Sequence, residues 1–482
     1  VAPNDRAVAL QWDHSFDAVE TVTQLFDNRK PNKLQWAHSF DAVETRPGCF
    51  NDNNRRLKVI VDAKKLDKAI KQCKKMDRYL HMKATGKILT LEAADEKNSC
   101  LIYQIIGDCE ENFDVLIEQP SNLASIVTKA KKAGEIGITC EGDSLVLKHK
   151  GSSTTLKVNV DHGWRWTIGP RHSTENLVKI PSKALKKMAR QALISVDKKS
   201  GSICYRNAIV ICDEKKRFGI IGTNGISLSA TRWPEPMQSD SFRRHTENWG
   251  GLKIAYKDLD IMKTAFGNGM VTLIVSINNH GQNYIEAFDK DCLLVLCEED
   301  KEEYRMPPWD KTLEVQPKHI MKFQAENLLK AVDDSKIFSK GAEAPINLTF
   351  KEEQVIASCC TTEGKTEYIF PLEWIRERED DVISFNPKPL KAMLKMAKGE
   401  MLFGHIRPHY GGHICWFRPT QDWAYIVMPI ANICPDCGSP RSPTQMRQCK
   451  TCGKFFCVKC QEARNKAGAN PDLCHACQNL EK

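Results

Sequence analysis

The stretch Val59-Ile60-Val61-Asp62-Ala63-Lys64-Lys65-Leu66-Asp67-Lys68-Ala69-Ile70-Lys71-Gln72-Cys73-Lys74-Lys75-Met76 holds the plan on which most of the chain is built. A short β-rich run, Lys58-Val59-Ile60-Val61, leads into a helix predicted over 62–76. Leu66, Ala69, Ile70 and Cys73 recur at helical spacing and form an apolar face that packs on strands. Lysines fill the opposite face. Strands are predicted next, at Ile88–Glu92 and Leu101–Ile106, where apolar and polar residues alternate as in half-buried antiparallel sheet. A second helix over 121–133 and strands within 136–158 repeat the plan. The cycle restarts near 177, with Pro181 at a helix start, and again near 319. The predicted class is α+β: three repeated domains at 57–160, 177–310 and 317–431, each with two helices on antiparallel sheets.

Composition limits what such a chain can do. It has 482 residues, 41% hydrophobic and 27% charged, which excludes collagen-like, low-complexity and wholly disordered classes. No apolar run reaches the roughly 18 residues of a membrane span, and no basic-then-apolar signal segment is present. A cytoplasmic location is expected, whether in a nucleoid, a phage-infected cell or an organelle matrix. The 13 histidines are spread out and no Walker-type phosphate loop occurs, so no catalytic constellation is predicted and the protein is read as a non-enzyme.

Net charge is only +9, so its placement matters more than its total. The predicted helices carry it, and Lys64, Lys68, Lys71, Lys75, Lys131, Lys183, Lys187, Arg190, Lys391 and Lys395 are the candidate phosphate contacts. Basic helices in equivalent places of related domains add charge to one common surface. Its natural partner is a polyanion followed through its phosphates, without base readout.

Three stretches tie this plan to a family. They are Tyr205–Ile211 followed by Phe218–Ala230, Tyr304-Arg305-Met306-Pro307, and Ala424-Tyr425-Ile426-Val427-Met428-Pro429-Ile430. Together they resemble the bacterial-type DNA polymerase III beta sliding clamp, over about residues 57–431. The resemblance implies a homodimeric ring of two three-domain chains around double-stranded DNA, with helices inside and strands outside. It also implies a DNA polymerase, a clamp loader and repair proteins that dock a short peptide between the second and third domains. By matching motif that pocket is Thr223, Gly225, Ile226, Leu228, Ile426, Met428, Pro429 and Ile430. Ile226-Ser227 replaces the family's usual His-Arg pair, and Arg206 stands where an apolar residue is typical.

Of 20 cysteines, eight fall in the last 49 residues as C-x-x-C pairs: Cys434, Cys437, Cys449, Cys452, Cys457, Cys460, Cys474 and Cys477. Each pair is a thiolate knuckle, and four thiolates complete a tetrahedral zinc site, so residues 432–482 are expected to bind two zinc ions. The short gap between the second and third pairs favours a cross-brace, with sequential pairing as the alternative. The segment Gln448–Cys460 resembles the FYVE zinc finger, with Thr444–Gln448 in place of its basic lipid motif. A RING-like ligase and a clamp-derived transcription or repair scaffold are the rival functions, the module recruiting a further protein or nucleic-acid partner. In the extension at 1–56, Leu10–Thr21 recurs at 34–45 with one change, Asp13 to Ala37. It reads either as a poorly ordered extension or as a duplicated peptide that docks on a partner through Trp and Phe anchors. Between the copies, Gln24-Leu25-Phe26 is similar to a short clamp-binding peptide.

Overall fold

The computed structural model describes residues 59–473 apart from 78, 96–98, 110–111, 161–177, 201–202, 214, 237–250, 278–282, 299–312, 314–316, 336–344, 362–363, 379–380, 407–413, 430–445, 449–454, 467, 469 and 471. All of these belong to one compact unit, Arg56–Lys482. The duplicated segment within 1–56 lies outside the described residues.

Six helices carry the repeat: α1 (Ala63–Met76), α2 (Pro120–Ala130), α3 (Ser182–Leu193), α4 (Tyr256–Ala265), α5 (Ala325–Asp334) and α6 (Pro387–Leu394). Local chemistry starts them. The Asp62 carboxylate accepts the Lys64 and Lys65 N–H groups at 2.8 Å, satisfying donors that the first turn of α1 leaves free. Pro120 and Pro387 open their helices, where a missing N–H costs nothing. The apolar stripe expected on α1 is present: Leu66, Ala69, Ile70 and Cys73 are all buried.

Apart from the short extra strands Asp108–Cys109 and Glu373–Arg376, each helix is preceded by one strand and followed by three, and two such halves make a block. The second half of the first block, for example, runs Phe113–Ile117, α2, Glu135–Glu141, Ser144–His149 and Ser152–Lys157. A helix from each half backs onto the sheets of its block. One continuous apolar core serves the first two blocks, and a second core, rich in Phe350, Phe385, Phe403 and Phe417, serves the third.

The sheets run through the block boundaries. At the first boundary Cys100–Ile106 pairs antiparallel with Cys292–Cys297, Val295 opposite Cys100, inside an eight-stranded sheet. At the second, Ser227–Pro236 pairs with Trp423–Val427, Leu228 opposite Ile426, inside a nine-stranded sheet. In both, the last strand of a first half meets the last strand of another block's second half. Two strands of that type remain, Gly364–Pro371 and Ser152–Lys157, and each ends its sheet. Leu156 and Tyr368 point toward the core there yet are only partly buried, whereas Leu101, Tyr103, Leu294 and Leu296 on the paired seam are fully covered.

The first block also buries a charged histidine. His81 Nδ1 lies 3.0 Å from Glu92 and Nε2 lies 2.5 Å from Asp114, on the two strands flanking its own. Burial alone pulls the imidazole pKa down. Hydrogen bonds to Asp114 and then Glu92 outweigh it, lifting the value from 6.5 to about 9. A group with a raised folded pKa stabilises fully below its unfolded value and loses that contribution as pH rises through the folded one. The unfolding midpoint in urea is therefore expected to fall between pH 6.5 and 9 more steeply in wild type than in His81→Gln. Parallel pH profiles would remove the imidazolium from the account.

Candidate nucleic-acid face and partner cleft

The helices join side by side. α1 packs on α2 at one flank and on α4 at the other, α4 continues to α3, and α5 pairs with α6. Polar bonds fix the α1–α4 junction: Thr264 donates to Gln72 at 2.7 Å, and Lys75 Nζ reaches Asp260 at 3.2 Å. Lys68 Nζ donates to the Phe266 carbonyl at 3.1 Å. Lys186 Nζ donates to the Gly267 carbonyl at 3.1 Å, its pKa lowered by burial and by the neighbouring Lys68.

The ten predicted contacts divide into two groups. Lys64, Lys183, Lys187, Arg190 and Lys395 are exposed, and none is in an ion pair among the described residues. Lys71 and Lys131 instead share the buried Asp67 carboxylate, at 2.8 and 3.2 Å, which also accepts from Thr128. Burial would raise the Asp67 pKa, but the hydrogen bonds from Lys71, Thr128 and Lys131 lower it overall, so it stays charged. Lys391 is paired with Asp333. The charge is also uneven, contrary to the sequence expectation that all six helices contribute. α1 carries six lysines against Asp67 alone, and α3 carries three lysines and an arginine with no acid. In α4, Asp258 and Asp260 offset Lys257 and Lys263, and in α5 Glu326, Asp333 and Asp334 outnumber Lys330. Positive helical charge is thus concentrated in the first block and α3, with a smaller share on α6, where Lys388 and Lys391 face no acid of their own helix.

On the opposite side of the nine-stranded sheet lies an apolar cluster, the candidate partner cleft. Ile209, Ile211, Ile221, Leu228, Ala230, Ile320, Trp416 and Ile426 form one buried cluster with Leu313 packed on it. Of the predicted pocket residues, Leu228 and Ile426 belong to its floor. Ile226 and Met428, 58% and 54% exposed, stand side by side above it, joined by Met428 N–H to Ile226 O at 2.8 Å. Pro429 is partly buried beside them, and Ile430 lies outside the described residues.

The rim turn is fixed by its own bonds. Asn224 Oδ1 accepts from the N–H groups of Ile226 and Ser227 at 3.0 and 2.7 Å. Thr223 Oγ1 donates to the Ser227 carbonyl at 3.0 Å and accepts from Gly225 N–H at 3.2 Å. Gly225 has φ of +81°, and a Cβ there would meet the Tyr205 ring at 2.9 Å, so both conformation and space demand glycine. Sequence reasoning did not find Asn224, Tyr205 or Trp416. An Asn two residues before an exposed apolar residue is a turn signal that could have revealed the first.

Of the eight C-terminal cysteines, only Cys457 and Cys460 fall among the described residues. Cys457 ends the strand Phe455–Cys457 and Cys460 lies one turn into the helix Val458–Lys466. That strand pairs with Met446–Gln448, Met446 opposite Cys457. The described residues contain no assembled group of metal ligands, and the other six cysteines lie outside them. They also contain no helix long and apolar enough to cross a membrane.

Three blocks of paired halves, with helices on one side and seam-crossing sheets on the other, define the fold of the bacterial sliding clamps. Solved structures show the likeness directly. The DNA polymerase III beta subunit from Thermotoga maritima matches with a TM-score of 0.65 at 15% identity, covering 78% of this chain and 100% of that one. The subunit from Pseudomonas aeruginosa matches at 0.63 and 15%, over 77% and 99%. The Borrelia burgdorferi subunit, solved with a natural product, matches at 0.63 and 15%, over 78% and 99%. No family model and no curated protein matches the chain.

Proposed function

We propose that the chain is a DNA sliding clamp, a non-enzymatic ring that encircles duplex DNA and tethers a polymerase and other partners for processive replication. The observation that carries this is the pairing rule of the sheets. Both internal boundaries join the last strand of a first half to the last strand of a second half, and the chain ends with one unused strand of each type. A second copy offers the complementary strands. Joining Ser152–Lys157 of one copy to Gly364–Pro371 of the next, twice, closes a two-fold ring in which neither of these strands is left as a sheet edge. Closure covers Leu156 and Tyr368 as the internal seams cover their counterparts. The basic helices then line the hole, where encirclement replaces tight phosphate binding. The apolar cleft remains on the outside for a partner's peptide.

Retention on DNA tests this reading. Protein assembled on a nicked circle by a clamp loader should stay through gel filtration in high salt and leave when one restriction cut linearises the circle. Equal retention on circle and line would refute encirclement.

The cysteine module is proposed to hold two zinc ions and to dock a further partner, its thiolates supplying all eight ligands. Metal analysis of the purified protein should give two zinc ions per chain. Replacing Cys434 and Cys457 together removes one ion if the pairs are cross-braced and disturbs both if they are sequential. A metal-free wild-type protein with reduced cysteines would dismiss the site.

A further inference from the structure

Beyond the apolar floor of the cleft, the same sheet face turns basic. Residues alternate across a sheet, so the face that shows Ile426 and Trp416 also shows Ala424 and Asp422 on one strand and Arg418 on its neighbour. Trp416 lies opposite Ile426, and the register shifts between Phe417 and Thr420. Such an irregularity re-aims side chains, and the Arg418 guanidinium lies over the Trp416 ring at 4.7 Å.

Two donors meet here without an acceptor among the described residues. The Trp416 Nε1 is buried with no hydrogen-bond partner among the described residues. Arg418 is half-buried, and its pKa is lowered by that burial, with no carboxylate relieving it. The nearby acids serve other arginines: Asp213 accepts Arg217 at 2.7 Å and lies 3.3 Å from Arg232, and Asp422 acts on Arg232 as well. A half-buried guanidinium with no counter-ion among the described residues forgoes the bidentate pairing it is shaped for.

We propose that the cleft continues into a receptor for a carboxylate, and that Arg418 takes an Asp or Glu side chain of the partner peptide whose apolar residues sit between Ile226 and Met428. The inference rests on the clamp reading and adds to it the charge of the partner. Arg418 stands level with Ala424, four residues along the strand from Met428. At strand rise that is about 13 Å. An extended peptide therefore presents its acid about four residues from its apolar anchor. The flat guanidinium stacked on an indole is held ready for the planar group, so little side-chain freedom is lost on binding.

Fluorescence anisotropy of the full-length protein with labelled dodecapeptides tests the assignment. Each peptide carries Leu-Leu with one Asp or one Asn four residues before or after it. The better-placed Asp peptide is expected to bind about tenfold tighter than its Asn twin, the scale of one charge-assisted hydrogen bond. Arg418→Gln should erase that preference while leaving the Asn peptide's affinity unchanged. Arg418→Lys, which keeps the charge without the fork, should retain part of it. Met428→Ala should weaken both peptides. Equal binding of Asp and Asn peptides to wild type overturns the carboxylate receptor while leaving the apolar cleft standing. Failure of every peptide to bind removes the cleft as well, although the circle-retention result stands separately. Displacement of the Asp peptide by a short single-stranded oligonucleotide as readily as by unlabelled peptide would reassign Arg418 to phosphate and overturn the proposal.

Discussion

Leu156→Asp is expected to turn the proposed two-copy ring into single chains, raising its dissociation constant by on the order of a hundredfold or more. Leu156 sits on the free edge strand Ser152–Lys157 and points to the core side, where it packs only partly on the first-block cluster. Within one chain an aspartate can turn to water at that edge, so the fold should survive. In the proposed ring the same position would face the strand Gly364–Pro371 of the next copy. A carboxylate there loses its hydration without a partner, at a cost of several kcal/mol per site, and each ring has two such sites. Sedimentation velocity over a concentration series measures the change, with circular dichroism as the check on folding. A variant that remains a dimer at wild-type concentrations would place the contact between copies elsewhere. Loss of the dimer should also abolish retention on circular DNA, because an open half-ring encloses nothing.

Trp423→Ala is expected to cost about 3–5 kcal/mol of stability, the range for deleting a fully buried large aromatic side chain. Trp423 is 1% exposed and packs in the third-block core, yet its Nε1 donates to Ser229 Oγ at 3.0 Å across the second boundary. Ser229 is itself fully buried. Alanine therefore leaves both a cavity and an unpaired hydroxyl at a seam. Chemical denaturation should show a lower midpoint, and hydrogen exchange should show faster opening of Ser227–Pro236 and Trp423–Val427 together. A change confined to the third block would mean that the seam is held by its ladder alone. Trp423→Phe keeps most of the volume and loses only the bond, so it should recover most of the stability.

The repeat was legible because its signals are local. The apolar stripe of α1, the alternating strands, and the prolines at Pro120 and Pro387 each reflect residues close in sequence. The helices found differ from the predicted spans by a few residues at their ends, where caps decide the boundary. The resemblance placed Leu228 and Ile426 in one site, and in the structure they lie opposite each other across the seam. What stayed hidden depends on distant partners. Asp67 neutralising Lys71 and Lys131 requires two helices to meet, and nothing in either helix alone announces it. The acids of α4 and α5 were visible but were outweighed in the reading by the lysines beside them. Trp416 and Arg418 gave no signal because their meaning comes from a register shift and from an absent counter-ion.

The shared carboxylate of Asp67 has a kinetic consequence. Lys71 and Lys131 already spend part of their attraction on it, so a passing phosphate gains less from each than from a free ammonium. In the proposed ring this would shrink the difference between favourable and unfavourable positions along a translating duplex, smoothing the landscape under the moving strand and trading grip for low friction.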